Sequence, residues 1–260
     1  MRSSRARASR WLFVAGLGAA LAAAWPLAAS ELAAADLIAK VQALLRSDTN
    51  IGVYRMEIVR PKWRREIRLQ SWDDRPGKRF FVHVLAPKKD KDTTFLKVGG
   101  NLWMYLPKLE RDIKIPPSMM LTSWMGSDFT NDDLVKSSSV VDDYDHRLIA
   151  REGSGAAAVA IIESIPKPEA PVVWGKLVHR VRLDGTPLDE VFYDERGAAV
   201  RRLSFEAVRE LGGRRIPTRW VIEPLGKEGH RTVMVIEEIA FDVAIPEPTF
   251  GRANLSRRRR

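Results

Sequence analysis

The chain has 260 residues, no cysteine and a formal charge of +10. The lack of cysteine excludes a disulfide scaffold and a lipid anchored through a cysteine. The charge does not indicate nucleic-acid binding, because four arginines lie before residue 11 and four more end the chain, and the remaining residues comprise 35 basic and 33 acidic side chains.

The N-terminus predicts a secretory signal peptide over residues 1–30. Its arginines precede an uncharged run, and small residues permit cleavage after Ser30 or Ala35. An uncleaved membrane anchor is the alternative. A spanning helix needs about 20 strongly apolar residues, whereas this run is mainly Ala and Gly and is interrupted by Trp25 and Pro26. We therefore expect export to the periplasm, with the signal cleaved near residue 30. The arginines at 257–260 predict a solvated tail, with attraction to anionic lipid as the alternative.

After the signal, residues 36–47 predict one amphipathic helix. Apolar side chains recur at the i, i+3, i+4, i+7 spacing and share one face: Leu37, Ile38, Val41, Leu44 and Leu45. Asp36 is the expected N-cap, and the polar run 47–50 should end the helix.

From Val53 onward the hydrophobic period is two, which predicts about a dozen β-strands. Turn sequences such as "DDRPG", "GGN" and "DGTP" separate them. Short connections make neighbouring strands antiparallel, and a parallel α/β sheet is excluded because no crossover helices are predicted. Several strands are apolar on both faces, which favours a strongly curved sheet around an apolar interior. One helix cannot fill such a sheet, so an apolar cavity is expected.

The segment 118–133 joins a methionine-rich stretch to a run of aspartates. "SMMLTSWMG" predicts a short helix that Ser118 opens. Thr130 or Asn131 should cap a second helix with Asp132 and Asp133 in its first turn. We prefer this interpretation to a calcium site, because the aspartates lack the EF-hand spacing. The aspartates are expected on the solvated outer side of the segment.

No motif of an enzyme is found in the sequence. A G-x-S-x-G elbow, a Walker loop and a G-x-G-x-x-G loop are all missing, and the four histidines are widely separated. His83 and His179 lie within predicted strands, where a structural role is the more frequent one. We therefore expect no catalysis, no cofactor and no metal.

The sequence "SWMGSDFTNDDL" at 123–134, followed by "SSVVDDYDHRL", resembles the LolA-like outer-membrane lipoprotein-sorting proteins of bacteria. The first helix leading into "VYRMEI", and "LWMYLP" with "RDIKIPP", fit the same pattern, so the resemblance runs from Ala35 to Phe250. It implies a mainly β, strongly curved, incomplete antiparallel barrel plugged by helices. We assign residues 31–252 to this domain and 253–260 to a basic disordered tail.

In the carriers of this family the cavity holds the acyl chains of a lipoprotein in transit. The resemblance thus implies a periplasmic carrier that transfers a lipoprotein or lipid toward the outer membrane. The alternative is a non-catalytic accessory subunit of a membrane transporter, whose interior would be filled. A hydrolase is a third hypothesis, for which the sequence offers no convergent polar set.

The carrier hypothesis names a set of ligand-binding residues on the cavity wall or rim. They are Phe80, Val82, Val84, Phe95, Leu102, Met104, Leu106, Met119, Trp124 and Met125. Either ordinary core packing or an adaptable rim is consistent with the methionines and Trp124. The expected partners are lipoprotein acyl chains or lipid and an inner-membrane transporter, with no nucleic acid, and the protein should be a monomer.

Overall fold

A computed structural model describes residues 24–136, 140–170 and 172–257. It contains one antiparallel sheet of thirteen strands in the order β6-β5-β4-β3-β2-β1-β13-β12-β11-β10-β9-β8-β7. The strands are β1 (Thr49–Arg60), β2 (Trp63–Asp74), β3 (Arg79–Ala86), β4 (Thr94–Val98), β5 (Asn101–Leu106), β6 (Arg111–Lys114), β7 (Tyr144–Glu152), β8 (Val159–Pro166), β9 (Lys176–Arg182), β10 (Pro187–Tyr193), β11 (Ala199–Leu211), β12 (Arg214–Pro224) and β13 (Arg231–Phe241). The predicted mainly β fold is confirmed, and β6 and β7 are edges of an open sheet.

The sheet order explains why the segment between β6 and β7 matters. The chain runs outward from β1 to β6, then reappears at β7 on the opposite edge, and returns strand by strand to β13, which pairs with β1. The connection must therefore cross the width of the sheet. It contains a 3₁₀ turn at Pro117–Met119 and the short helices α2 (Asn131–Lys136) and α3 (Val140–Asp143).

The N-terminal helix α1 extends over Ala24–Leu45. Asp36 consequently lies inside it, and the expectation that Asp36 is the N-cap is wrong for this chain, because the residues before Asp36 are already helical. Its apolar face packs against β8 and β9, where Leu37 and Ile38 join a cluster with Ile162 and Val181. In the part of the chain that the structure describes, no helix is long and apolar enough to cross a membrane. Residues 1–23 of the predicted signal peptide lie outside the described residues.

The two apolar faces of β3–β5 have separate partners. On the concave face, residues such as Val82 and Leu102 pack beneath the segment that joins the sheet edges. On the outer face, Phe81 and Leu96 pack against the C-terminal Phe250 and Leu255. Leu255 is buried, so the boundary of the predicted disordered tail at residue 253 is wrong, because this end of the chain covers apolar outer surface that the strands would otherwise expose.

Candidate functional site

A cavity of about 360 Å³ lies between the concave face of the sheet, the C-terminal end of α1 and the segment between β6 and β7. This volume is within the range of small-molecule sites. Most of its wall is apolar. Phe205 and Trp220, on the neighbouring strands β11 and β12, form an edge-to-face pair with ring centroids 5.7 Å apart. Both line the cavity and are only partly buried, so they expose aromatic surface to it.

The structure brings three of the predicted binding residues to this cavity: Phe80, Val82 and Trp124. The other seven lie outside its lining. Val84, Phe95, Leu102, Met104 and Met125 belong to or contact the apolar cluster over β3–β5, Leu106 is partly buried at the end of β5, and Met119 is 46% exposed.

These seven positions are corrections to the predicted cavity wall, and they have one physical cause. The segment between β6 and β7 lies directly on the first half of the sheet, so its Trp124 and Phe129 fill the space there. The cavity is instead lined by residues of β10–β13, such as Leu203, Phe205 and Ile222, together with residues of β1–β3. Their period-two pattern was visible in the sequence, but nothing in it shows which half of the sheet is covered.

The methionine-rich stretch does not form the predicted helix beyond the 3₁₀ turn. Its hydroxyl side chains bond to nearby main-chain carbonyls instead: Thr122 Oγ1 donates to Met119 O at 2.7 Å, and Ser123 Oγ donates to Ser127 O at 2.5 Å. Met125 takes a positive φ of 53°. Such local bonds compete with helical ones, and the chain turns back so that Trp124 enters the core.

The predicted cap of the second helix is confirmed. The Asp133 N–H donates to Thr130 Oγ1 at 3.2 Å, and the Thr130 N–H donates to the Asp133 carboxylate at 2.8 Å. This reciprocal pair is a capping box with aspartate in the place usually taken by glutamate. It fixes the direction in which the Asp133 carboxylate points.

The expectation that the aspartates lie on a solvated outer side is wrong for Asp128, Asp132 and Asp133, which are largely buried. Asp128 accepts from the Arg60 guanidinium at 2.9 Å and from Thr232 Oγ1 at 2.7 Å. Asp133 accepts two bonds from Arg201, at 2.7 and 2.6 Å. We call these pairs the Arg60 tie and the Arg201 tie. They fasten the segment to strands β1 and β11, and charge pairing outweighs hydration because all four side chains are largely buried.

The Arg201 tie also forms part of the cavity wall. Its guanidinium lies over the rings of Trp174 and Phe192, 4.5 and 4.2 Å from their centroids. The two rings make their own edge-to-face contact at 5.2 Å. A planar cation between aromatic rings and a bidentate carboxylate has almost no orientational freedom, so this wall is rigid.

One end of the cavity is polar and contains Arg46, Tyr54, Asp73 and Glu190. Burial dominates their electrostatics. It lowers the pKa of the Arg46 guanidinium, raises the pKa of Tyr54 to about 12, and raises the pKa of Asp73 despite the positive charge of Arg46 nearby. It also raises the pKa of Glu190 to about 7, against the opposing effects of Arg201 and Arg46. Glu190 is therefore near half protonation at neutral pH.

Behind Glu190 lies a buried polar chain that the sequence analysis missed. Ser164 Oγ is 2.7 Å from His146 Nδ1 and 2.9 Å from His179 Nε2, and His179 Nδ1 is 3.7 Å from a Glu190 oxygen. These residues come from four successive strands, β7 to β10, so only strand pairing brings them together. Burial first, and then the neighbouring His146, lower the pKa of His179 to about 3.

Ser164, His179 and Glu190 have the residue types of a hydrolytic triad. Ser164 is completely inaccessible to solvent, however, and His179 is also buried. A nucleophile must reach the substrate carbonyl, and this one faces two histidines inside the packed wall. The arrangement is suited to holding strands β7–β10 in register.

A family model described as that of an uncharacterized protein matches residues 77–257, more than half of the chain. The chain belongs to this family. No curated protein sequence matches the chain.

Solved structures of other proteins are similar to this chain. A DUF1329 family protein from Desulfovibrio piger has a TM-score of 0.76 and 23% identity, over 87% of this chain and 99% of that one. A putative outer membrane lipoprotein-sorting protein domain from Vibrio parahaemolyticus has a TM-score of 0.72 and 21% identity, over 86% and 98%. A LolA superfamily protein from Nitrosomonas europaea has a TM-score of 0.70 and 18% identity, over 85% and 98%. The resemblance to the LolA-like proteins is confirmed, and the chain has the fold of these structures.

Proposed function

We propose that this member of the family is a periplasmic, non-enzymatic carrier that holds acyl chains of a lipoprotein or lipid in its cavity for transfer toward the outer membrane. The proposal includes export of the chain, cleavage of its signal peptide, and an inner-membrane transporter that donates the cargo. The fold it shares with a LolA superfamily protein and a putative outer membrane lipoprotein-sorting domain supports it.

The observation that carries the proposal is the aromatic wall around Phe205 and Trp220, which lines an open space and is only partly buried. An acyl chain that covers this surface gains ~0.8 kcal/mol for each CH₂ group removed from water. Burial alone therefore provides the affinity, without any bond-making group. The inaccessible Ser164 argues against a hydrolase, and the cavity argues against an accessory subunit with a filled interior.

Lipid retained by the protein tests this proposal. The protein is prepared from periplasm without detergent and analysed by native mass spectrometry, and its extract is assayed for acyl-containing species. We expect Phe205→Glu to lose most of the bound acyl species with little change in Tm, because a carboxylate in the cavity wall opposes acyl binding while the side chain already contacts open space.

The matched control is Val208→Glu, on the same strand but outside the cavity lining and 37% exposed. It should retain acyl species at the wild-type level. Equal retention in the two variants, or wild-type protein free of acyl species and unable to bind added lipid, would refute the carrier. The second result would favour the accessory subunit.

A further inference from the structure

We propose that the polar end of the cavity binds an anionic headgroup, a carboxylate or a phosphate attached to an acyl chain, with Arg46 as its cationic partner. This inference rests on the proposed carrier function and adds the chemical class of the cargo. The cavity would then orient an amphiphile, headgroup toward α1 and chain toward the aromatic wall.

The first observation is that Arg46 has a charge to offer. Arg46 lines the cavity. Within the described residues no ion pair joins its guanidinium to a carboxylate, and its hydrogen bonds to Gln42 and Arg214 are made by its main-chain N–H and carbonyl groups. The other arginine of the cavity, Arg201, is by contrast paired with the carboxylate of Asp133 through two hydrogen bonds. Arg46 is partly buried, and an anion in the cavity would give its guanidinium a hydrogen-bonding partner there.

The second observation is that other polar side chains lie beside Arg46. Asn50, Tyr54 and Ser71 line the same end. Asn50 Nδ2 donates to Asp73 at 3.4 Å and Ser71 is hydrogen-bonded to Tyr54, so the second amide N–H of Asn50 and one of the two hydroxyl groups remain as donors for a carboxylate or phosphate. Guanidinium groups bind both anions through two parallel bonds. Beyond them the wall becomes aromatic and aliphatic, so one cavity joins a polar end to an apolar one, as an amphiphile requires.

The acidic groups at this end set the pH at which an anion fits best. Arg46 faces Asp73 and Glu190, with Arg75 nearby and the Arg201 tie and His179 beyond Glu190. Burial raises the pKa of both carboxyls, that of Glu190 to about 7. As the pH falls below 7, Glu190 becomes increasingly protonated and competes less for Arg46, whereas above pH 7 its negative charge competes with the ligand. Affinity for an anion should therefore fall between pH 6 and pH 8.

Displacement of the neutral fluorescent probe N-phenyl-1-naphthylamine from the full protein tests the inference. The competitors are palmitate, lysophosphatidate and the neutral monopalmitoylglycerol. For the wild type at pH 6 we expect at least one anion to bind about tenfold more tightly than the neutral lipid, the lower end of what charge-assisted bonds contribute. The stronger of the two anions distinguishes a carboxylate from a phosphate headgroup.

Arg46→Gln should abolish this preference while probe and neutral lipid bind as before, and Arg46→Lys should restore part of it. Glu190→Gln should keep the preference and remove its dependence on pH. The control Arg64→Gln changes an arginine whose side chain is 69% exposed, and it should behave as the wild type.

Two failures have different meanings. If anionic and neutral lipids bind equally, or Arg46→Gln leaves the preference intact in a folded protein, the headgroup inference is overturned while the carrier stands. If neither probe nor any lipid binds, the proposed carrier function itself is wrong.

Discussion

Replacing Arg201 with methionine should lower the free energy of unfolding by about 3 kcal/mol, the usual cost of breaking a buried ion pair from one side. The side chains of Arg201 and Asp133 are 8% and 20% exposed, so water replaces the lost bonds poorly. The substitution also removes the cation between Trp174 and Phe192. Urea unfolding of Arg201→Met measures the stability, and limited proteolysis should show cleavage near Asp133, where the segment loses its attachment to β11.

The control is Arg180→Met, which breaks an ion pair of similar distances on the surface, where the arginine side chain is 41% exposed. Exposed pairs contribute about 1 kcal/mol or less. A loss for Arg201→Met no greater than that for Arg180→Met would contradict the Arg201 tie. Loss of stability without new cleavage would show that the tie supports the sheet and does not hold the segment.

Acidification should destabilise the protein through His179, and His179→Gln should remove that contribution. The ordinary pKa of 6.5 applies to the unfolded chain, whereas burial keeps the folded pKa near 3. The unfolded state therefore binds a proton that the folded state excludes. The stability linked to His179 is complete above pH 6.5 and is lost toward pH 3, by up to about 1.4 kcal/mol per pH unit. Urea unfolding at pH 4.5, 5.5, 6.5 and 7.5 should give a shallower slope for the variant, which keeps a donor for Ser164.

Glu190 supplies an internal control of opposite sign. Its folded pKa of about 7 is above the ordinary pKa of 4.5 that applies to the unfolded chain, so its contribution is complete below pH 4.5 and is lost as the pH rises through 7. Glu190→Gln should therefore make the slope between pH 4.5 and 7 steeper, whereas His179→Gln makes it shallower. Parallel slopes in the wild type and both variants would contradict the buried chain from Ser164 to Glu190.

Local sequence patterns were sufficient for most of the architecture. Each of the thirteen strands overlaps a segment that the sequence predicts as a strand, and the turn at Gly99 takes the positive φ that its glycine permits. The cap at Thr130 could be predicted from the sequence because Thr130 and Asp133 are only three residues apart. Such features depend on neighbours along the chain, and the sequence displays those neighbours directly.

The predicted helix through Trp124 does not form, because other interactions of its residues compete with helical hydrogen bonds. Its apolar residues fit a helical face, but the hydroxyl groups of Thr122 and Ser123 donate hydrogen bonds to main-chain carbonyls. Trp124 packs edge-to-face on Phe95, with ring centroids 5.5 Å apart, and this burial stabilises the non-helical conformation. Tertiary burial overrides propensity in so short a segment. The helical conformation of the residues before Asp36 was likewise missed, because those residues are mainly small and apolar.

By itself the sequence determined the strands, their antiparallel order, the family resemblance and the alternation of faces, because these follow from local periodicity and short connections. Only the tertiary structure decided which half of the concave face is filled and which is open. It also paired Asp128 with Arg60 and Asp133 with Arg201, 68 residues apart in both cases, and left Arg46 facing the cavity. Charges and cavities depend on what long-range folding brings together, and no local pattern records that.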